Sequence, residues 1–210
     1  MFSEAALVSF IATLFSMTNP VGNLGIFSSM TEGRSAAEIK RTAWICGGAV
    51  GVILLLMAWS GTMLMKFFGI SVDSLRAAGG VIVLIIGLHM LFNKSEHKQS
   101  SAESKDAKSR PSIAVVPLAI PIVGGPGAMI AVLVASQQDP SILNRIEISI
   151  IILSFSVLIS LLFSLAKPLS KWLGESGMGV VTRVMGLILA TIAMGMLTEG
   201  LKELLPGLAG

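Results

Sequence analysis

The stretch NPVGN, residues 19–23, interrupts an apolar run that extends from residue 5 to residue 30. A second interruption, PIVGGPG at residues 121–127, lies within the apolar run from residue 113 to residue 136. Proline removes a backbone donor and glycine loosens the backbone, so a helix is expected to unwind at both stretches. At ~1.5 Å per residue, the interruptions begin ~12–22 Å inside a ~30 Å hydrocarbon core. The sequence therefore predicts two membrane helices that are broken near mid-membrane.

The composition of the chain is typical of a polytopic membrane protein. Of the 210 residues, 53% are hydrophobic and only 13% are charged, and the mean hydropathy is +0.84. A soluble domain carries about 25% charged residues. This composition argues against a soluble enzyme, a nucleic-acid-binding protein and a disordered protein. Cys46 is the only cysteine, which excludes an intrachain disulfide and a multi-cysteine metal site.

Six apolar segments approach the ~20 residues that a membrane-spanning helix needs. Their approximate bounds are 5–30, 43–65, 71–92, 113–136, 147–166 and 180–201. Residues 1–92 and 112–210 therefore each hold three spans. Residues 93–111 contain no large apolar side chain and are predicted to form a flexible cytoplasmic linker. Most Lys and Arg residues fall in loops on one side, which predicts that both termini lie outside.

The two halves of the chain share a pattern of spans. Arg76-x-x-Gly79 begins the third span and Arg183-x-x-Gly186 begins the sixth. The first and fourth spans are the broken ones, and the second and fifth are plain. Because each half has an odd number of spans, the second half must enter the membrane from the opposite side. We therefore predict an all-α membrane protein with six transmembrane helices in two inverted three-helix repeats, an architecture of secondary transporters. Chance similarity between glycine-rich helices is the alternative.

The paired breaks predict a binding site. A half-helix that starts after each break would direct free N–H groups into a cavity, where they favour a carboxylate or another small anion. Glycine walls and nearby amide and hydroxyl groups favour a small zwitterionic or weakly anionic solute. The alternative is that the breaks only kink helices for packing. The predicted substrate-binding residues are Thr18, Asn19, Pro20, Gly22, Asn23, Pro121, Gly124, Gly125, Pro126 and Gly127.

Four charged or titratable residues near span ends are further candidates. Arg76 and Arg183 could gate the cavity or pair with a substrate carboxylate, or they could be snorkelling anchors. His89 and Glu199 could couple transport to protons, or they could lie at the interface. Asp73 is expected to form a salt bridge with Arg76. We expect no metal site and no cofactor.

The sequence resembles the MarC family of bacterial and archaeal inner-membrane proteins. The resemblance rests on NPVG at 19–22, VPLAIP at 116–121, GPG at 125–127, FGIS at 68–71 and RVMGL at 183–187. It implies six spans, an outside N-terminus and a plasma-membrane location. Some members have been assigned as transporters of small neutral amino acids such as glycine and alanine, and many have no settled substrate. Asn19 stands where some relatives have Asp, which weakens the idea of a carboxylate cation ligand there.

These observations predict a secondary transporter of small neutral amino acids in the bacterial inner membrane. The expected partners are the small-molecule substrate, the lipid bilayer and a coupling proton or sodium ion, and assembly into a homo-oligomer is compatible with the sequence. Nucleic acid is not an expected partner. A channel or facilitator for another small solute is the main alternative. An intramembrane enzyme is less favoured, because no acidic residue lies mid-span and no nucleophile–base motif occurs. A scaffold that transports nothing is also less favoured.

Overall fold

The computed structural model describes residues 4–92, 123–139, 141–205 and 207, and most of them are helical. The described chain contains seven helices: α1 (Glu4–Thr18), α2 (Leu24–Met30), α3 (Ala36–Phe68), α4 (Val72–Phe92), α5 (Pro126–Gln138), α6 (Ile142–Ser164) and α7 (Ala166–Leu204). Four helical stretches are long and apolar enough to cross a membrane, namely α3, α4, α6 and residues Ser176–Leu204 of α7. The all-helical membrane fold is therefore confirmed.

The four candidate spans do not by themselves confirm the finer prediction of a six-span inverted repeat. Residues of the predicted first span are divided between the short helices α1 and α2. Only residues 123–136 of the predicted fourth span are described, and they include most of α5. The predicted linker, residues 93–111, lies outside the described residues, as does Pro121.

Local signals set the ends of α3 beyond the predicted span 43–65. Ser35 caps the N-terminus, because its hydroxyl accepts a hydrogen bond from the Glu38 N–H at 3.3 Å. The Glu38 carboxylate in turn accepts one from the Ser35 N–H at 2.8 Å. Gly69 ends the helix with a left-handed φ of 65°, a conformation that glycine adopts without strain. A polar first turn thus precedes the apolar part of α3.

The helix α7 is divided by Gly174, whose φ is 62° and ψ is 177°. The part that follows the kink contains the predicted sixth span, residues 180–201. The part before it carries Lys167, Lys171 and the strongly exposed Trp172. These side chains suit a membrane–water boundary, where tryptophan and lysine are favoured.

The four long helices pack in two pairs, α3 with α6 and α4 with α7. At Gly47 in α3, an added Cβ would lie 2.6 Å from the Ser156 carbonyl oxygen. The Ser156 hydroxyl donates a hydrogen bond to the Gly47 carbonyl at 2.6 Å. A Cβ at Gly51 would lie 2.9 Å from Ser156 Oγ. Gly47 and Gly51 therefore allow α3 and α6 to pack closely.

In the α4–α7 pair, glycines bring the backbone of one helix against the backbone of the other. A Cβ at Gly87 would lie 2.9 Å from the Gly186 carbonyl oxygen, and a Cβ at Gly186 would lie 2.8 Å from the Gly87 carbonyl oxygen. Gly80 similarly faces the backbone of Ala193 and Leu197. Helix α5 contacts α1, α3 and α4. This arrangement places the start of α5 against the end of α1.

Candidate functional site

The turn between α1 and α2 is built around Asn19. Its φ is +42°, which makes it the non-glycine residue with positive φ in the described chain. Asparagine tolerates this left-handed conformation better than most residues. Its side-chain Oδ1 accepts a hydrogen bond from the Gly22 N–H at 3.2 Å, and Asn19 is only 6% exposed. Asn19 therefore holds the turn closed at a buried position.

Asn23 ties the two sides of this turn together. Its Nδ2 donates a hydrogen bond to the Thr18 carbonyl at 3.1 Å, across the interruption. The Asn23 Oδ1 accepts no hydrogen bond from the described residues. The Thr18 hydroxyl donates back to the Leu14 carbonyl at 2.8 Å. Asn23 therefore keeps a free acceptor, whereas the Thr18 hydroxyl is used within α1.

The turn before α2 uses several of its own backbone amides. The Asn23 N–H donates to the Asn19 carbonyl at 3.1 Å, and the Leu24 N–H donates to the Val21 carbonyl at 3.2 Å. The Gly22 N–H is already bonded to Asn19 Oδ1. The turn thus uses the amides of residues 22–24. The N–H groups of Gly25 and Ile26 have no hydrogen-bond partner among the described residues, so the expectation of two opposed helix N-termini stays a prediction.

The start of α5 keeps its amides free. Gly125 precedes the helix in an extended conformation, and Pro126 occupies the first helical position, where a missing N–H does no harm. No side chain caps the helix. The N–H groups of Gly127 and Ala128 have no hydrogen-bond partner among the described residues. They are the donors that a helix N-terminus offers to an anion.

A cavity of about 240 Å³ lies between the α1–α2 turn and the start of α5. We call it the break cavity. Its lining residues are Met17, Asn19, Asn23, Val83, Ile86, Met90, Gly125, Pro126, Gly127 and Leu189. Five predicted substrate-binding residues thus share one cavity, although they come from interruptions about a hundred positions apart. Its volume is below the ~300–1,000 Å³ of sites for drug-sized ligands, which suits a small solute.

The other predicted binding residues do not line the break cavity. Thr18, Pro20 and Gly124 are buried beside it, and Gly22 is half-buried in the turn. These four residues shape the backbone around the cavity. Pro121 lies outside the described residues.

Apolar side chains complete the cavity, and the sequence did not single them out. Met17 comes from α1, Val83, Ile86 and Met90 come from α4, and Leu189 comes from α7. The Met90 thioether lies 3.7 Å from Asn19 Nδ2. Met90 belongs to the Gly-x-x-Met-Leu ending of the third span, which resembles the Gly-Met-Leu ending of the sixth and is a signal that could have identified it.

Three residues that line the break cavity, Gly127, Met17 and Val83, pack tightly against one another. An added Cβ there would lie 2.9 Å from Met17 Sδ and 2.9 Å from Val83 Cγ2. These distances are shorter than ordinary van der Waals separations. We call this the Gly127 contact. Only glycine leaves room for the side chains of α1 and α4 at this point.

A second cavity, of about 450 Å³, lies between α1, α4, α5 and α7. We call it the arginine cavity, because Arg76 lines it. Arg76 Nη1 is 3.5 Å from the Asp73 carboxylate, and Arg76 Nε is 3.8 Å from that of Glu199. The predicted Asp73 salt bridge is confirmed. The lining residues of the arginine cavity are Ala6, Ser9, Phe10, Thr13, Arg76, Ala131, Val134, Ala135, Gln138, Ile192, Gly195, Met196 and Glu199.

Arg183 and His89 line neither cavity and are exposed. Arg183 forms no ion pair within the part of the chain that the structure describes. Within that part, no three His, Cys, Asp or Glu side chains come close enough to hold a metal ion. The break cavity offers a free helix amide, an amide oxygen and apolar walls, and the arginine cavity offers a guanidinium with a carboxylate.

Comparison with known proteins gives a consistent match along the chain. A family model described as MarC family integral membrane protein matches residues 5–205. The UPF0056 membrane protein YhcE of Escherichia coli (strain K12) is 36% identical over 208 residues, which cover 99% of this chain and 97% of that protein. No solved structure matches the chain.

Two further relatives come from distant organisms. The UPF0056 membrane protein YvbG of Bacillus subtilis (strain 168) is 37% identical over 202 residues, covering 95% of this chain and 96% of that protein. The UPF0056 membrane protein MJ1677 of Methanocaldococcus jannaschii is 34% identical over 192 residues, covering 91% and 93%. The family model matches nearly the whole chain, and four helical stretches are apolar enough to cross a bilayer. The chain therefore belongs to the MarC family of integral membrane proteins.

Proposed function

We propose that this protein is a secondary transporter of small neutral amino acids, of the size of glycine or alanine, in the bacterial inner membrane. The observation that carries the proposal is the break cavity. Asn19 and Asn23 from the first interruption share this small cavity with Gly125, Pro126 and Gly127 from the second. Irregular backbone at membrane depth is tolerated where it lines a cavity, and transporters place their substrates at such breaks.

The chemistry of the break cavity fits a zwitterion. The N–H group of Gly127, which lines the cavity, carries the partial positive charge of a helix N-terminus and would receive the substrate carboxylate. The free Oδ1 of Asn23 would accept a hydrogen bond from the substrate ammonium group. The apolar walls formed by Met17, Ile86 and Met90 leave room for a hydrogen or a methyl side chain. These three features together favour glycine and alanine over larger or charged amino acids.

The packing of the helices supports the inverted repeat that alternating access requires. Long helices that hold matching places in the two halves contact each other: α3 with α6, and α4 with α7. We therefore propose six spans related by an axis in the membrane plane, with both termini outside.

The Gly127 contact supports a transporter over a channel. It lies where the residues that line the break cavity are followed, along α1, α4, α5 and α7, by those that line the arginine cavity. A pore that conducts freely needs a continuous path, whereas alternating access needs a closed barrier on one side of the substrate. The contact between Met17, Val83 and Gly127 would be that barrier.

The test is flux in proteoliposomes made from the purified protein. We expect uptake of labelled glycine and alanine, measured with and without pH and sodium gradients to identify the coupling ion. Gly125→Leu, which would fill the break cavity, is expected to abolish uptake. Gly48→Leu is the matched control, because Gly48 is exposed and has open space around it. Absence of flux for every proteinogenic amino acid would overturn the substrate assignment, and full flux in Gly125→Leu would overturn the site.

A further inference from the structure

The arginine cavity contains a partly buried guanidinium whose hydrogen-bonding capacity is unused. The Arg76 side chain is only 18% exposed. Its two ion pairs, at 3.5 and 3.8 Å, are longer than the ~2.7–2.9 Å of a charge-assisted hydrogen bond. No hydrogen bond from its five donors is found among the described residues. A charge that is withdrawn from water without hydrogen bonds is costly, and in a membrane protein such a residue marks a ligand pathway.

Neutral polar groups in the same cavity are also without partners. The side chains of Ser9, Thr13 and Gln138 make no hydrogen bond with the described residues. Other hydroxyls on the same helices bond back to their own backbone, as Thr18 does to Leu14 and Thr198 does to Met194. The arginine cavity therefore gathers several donors and acceptors that the fold does not use.

The arginine cavity and the break cavity are lined by successive turns of the same helices. On α1 the lining passes from Thr13 to Met17, and on α5 it passes from Ala131 to Gly127. On α7 it passes from Ile192 to Leu189. Each step is about one helical turn along one face. The two cavities are thus successive compartments of one seam, with the Gly127 contact between them.

We propose that the arginine cavity is a second binding site, which captures a small zwitterion on the far side of the Gly127 contact. The ligand carboxylate takes up the free donors of Arg76, and the ligand ammonium pairs with Glu199, which is the exposed member of the cluster. A zwitterion matches this pair because it replaces the 3.8 Å contact between Arg76 and Glu199 with two direct ones and leaves the net charge unchanged. The statement that this ligand is also the transported solute rests on the proposed function.

The test is protection of an engineered cysteine by alanine, in protein that carries Cys46→Ala. Val134→Cys reports on the arginine cavity and Met90→Cys on the break cavity, because each position lines only one of them. We expect alanine to slow maleimide labelling at both positions. Arg76→Gln is expected to raise the half-protecting concentration at Val134→Cys at least about tenfold, the loss expected for charged hydrogen bonds. Lys202→Gln, an exposed change at the same end of α7, is expected to leave it unchanged.

The possible results separate the two proposals. Protection at Met90→Cys without protection at Val134→Cys would overturn the second site and leave the proposed function standing. Protection at neither position would count against the proposed function itself. Unchanged protection at Val134→Cys in Arg76→Gln would overturn the role of Arg76. If Arg76→Gln does not fold, Arg76→Lys is used instead, because lysine keeps the charge but cannot bind a carboxylate bidentately. Unchanged protection at Val134→Cys in Arg76→Lys would likewise overturn the role of Arg76.

Discussion

Replacing Gly127 by alanine perturbs the barrier and the break cavity with a single methyl group. The new Cβ would lie 2.9 Å from both Met17 Sδ and Val83 Cγ2. Optimal separations are ~3.5–4.0 Å, so each neighbour would have to retreat by ~0.6–1 Å. Overpacking of this kind costs about 1–3 kcal/mol, and the gain in helix propensity from Gly to Ala offsets about 0.5–1 kcal/mol of it. We expect a net loss of about 1–2 kcal/mol of stability.

Thermal unfolding in detergent and alanine binding measure this effect. The loss should lower the unfolding temperature by a few degrees. It should weaken alanine binding by about tenfold if Met17 relieves the clash by turning into the break cavity. Gly48→Ala is the control. It also adds a methyl group within a helix, but nothing lies within 4 Å of the new Cβ. It should therefore leave stability the same or slightly higher.

A second substitution separates steric strain from a general effect of the mutation. Val83→Ala removes one of the two groups that clash, so the double variant Gly127→Ala/Val83→Ala should lose less stability than the sum of the single changes. Additive losses, or a Gly127→Ala protein that behaves like Gly48→Ala, would refute the close contact between α1, α4 and α5.

Three other changes test separate parts of the structure. Gly87→Ala is expected to destabilise the protein more than Gly127→Ala in the same unfolding assay, because its Cβ would meet the Ala190 backbone nitrogen at 2.8 Å and no side-chain rotation relieves that contact. Asn19→Asp should keep near-wild-type stability and alanine binding, since aspartate also tolerates positive φ and accepts from the Gly22 N–H, whereas Asn19→Val should lose about 1–2 kcal/mol. A reporter fused at Ser101 should give a cytoplasmic signal in cells, and a periplasmic signal would reverse the proposed topology.

Apolar length and composition were sufficient to predict the helical membrane fold and the approximate positions of four spans. The capping box at Ser35 and the left-handed Gly69, which both set the ends of α3, are visible in the sequence as short motifs. The lining of the break cavity was harder to predict. Met17 and Ile86 have the same spacing and hydrophobicity as residues that face lipid, and only the packing of four helices distinguishes the two environments.

The polar part of the site could be predicted because polar residues and helix breakers are rare in apolar segments. Asn23 and Gly125 were identified in this way, and the structure brings them to one cavity. The hydrogen bonds at the start of α2 could not be predicted, because they depend on the left-handed conformation of Asn19. The approach of Glu199 to Arg76 also depends on packing, since α4 and α7 are far apart in sequence.

The most direct test of the central claim is whether a small neutral amino acid occupies the break cavity. Protein that carries Cys46→Ala and Met90→Cys should react with a maleimide, and alanine should slow that reaction with a saturable concentration dependence. Glutamate and leucine should not slow it, because the cavity offers one set of helix amides and little apolar depth. Equal labelling rates with and without alanine, or equal protection by all three amino acids, would contradict the account.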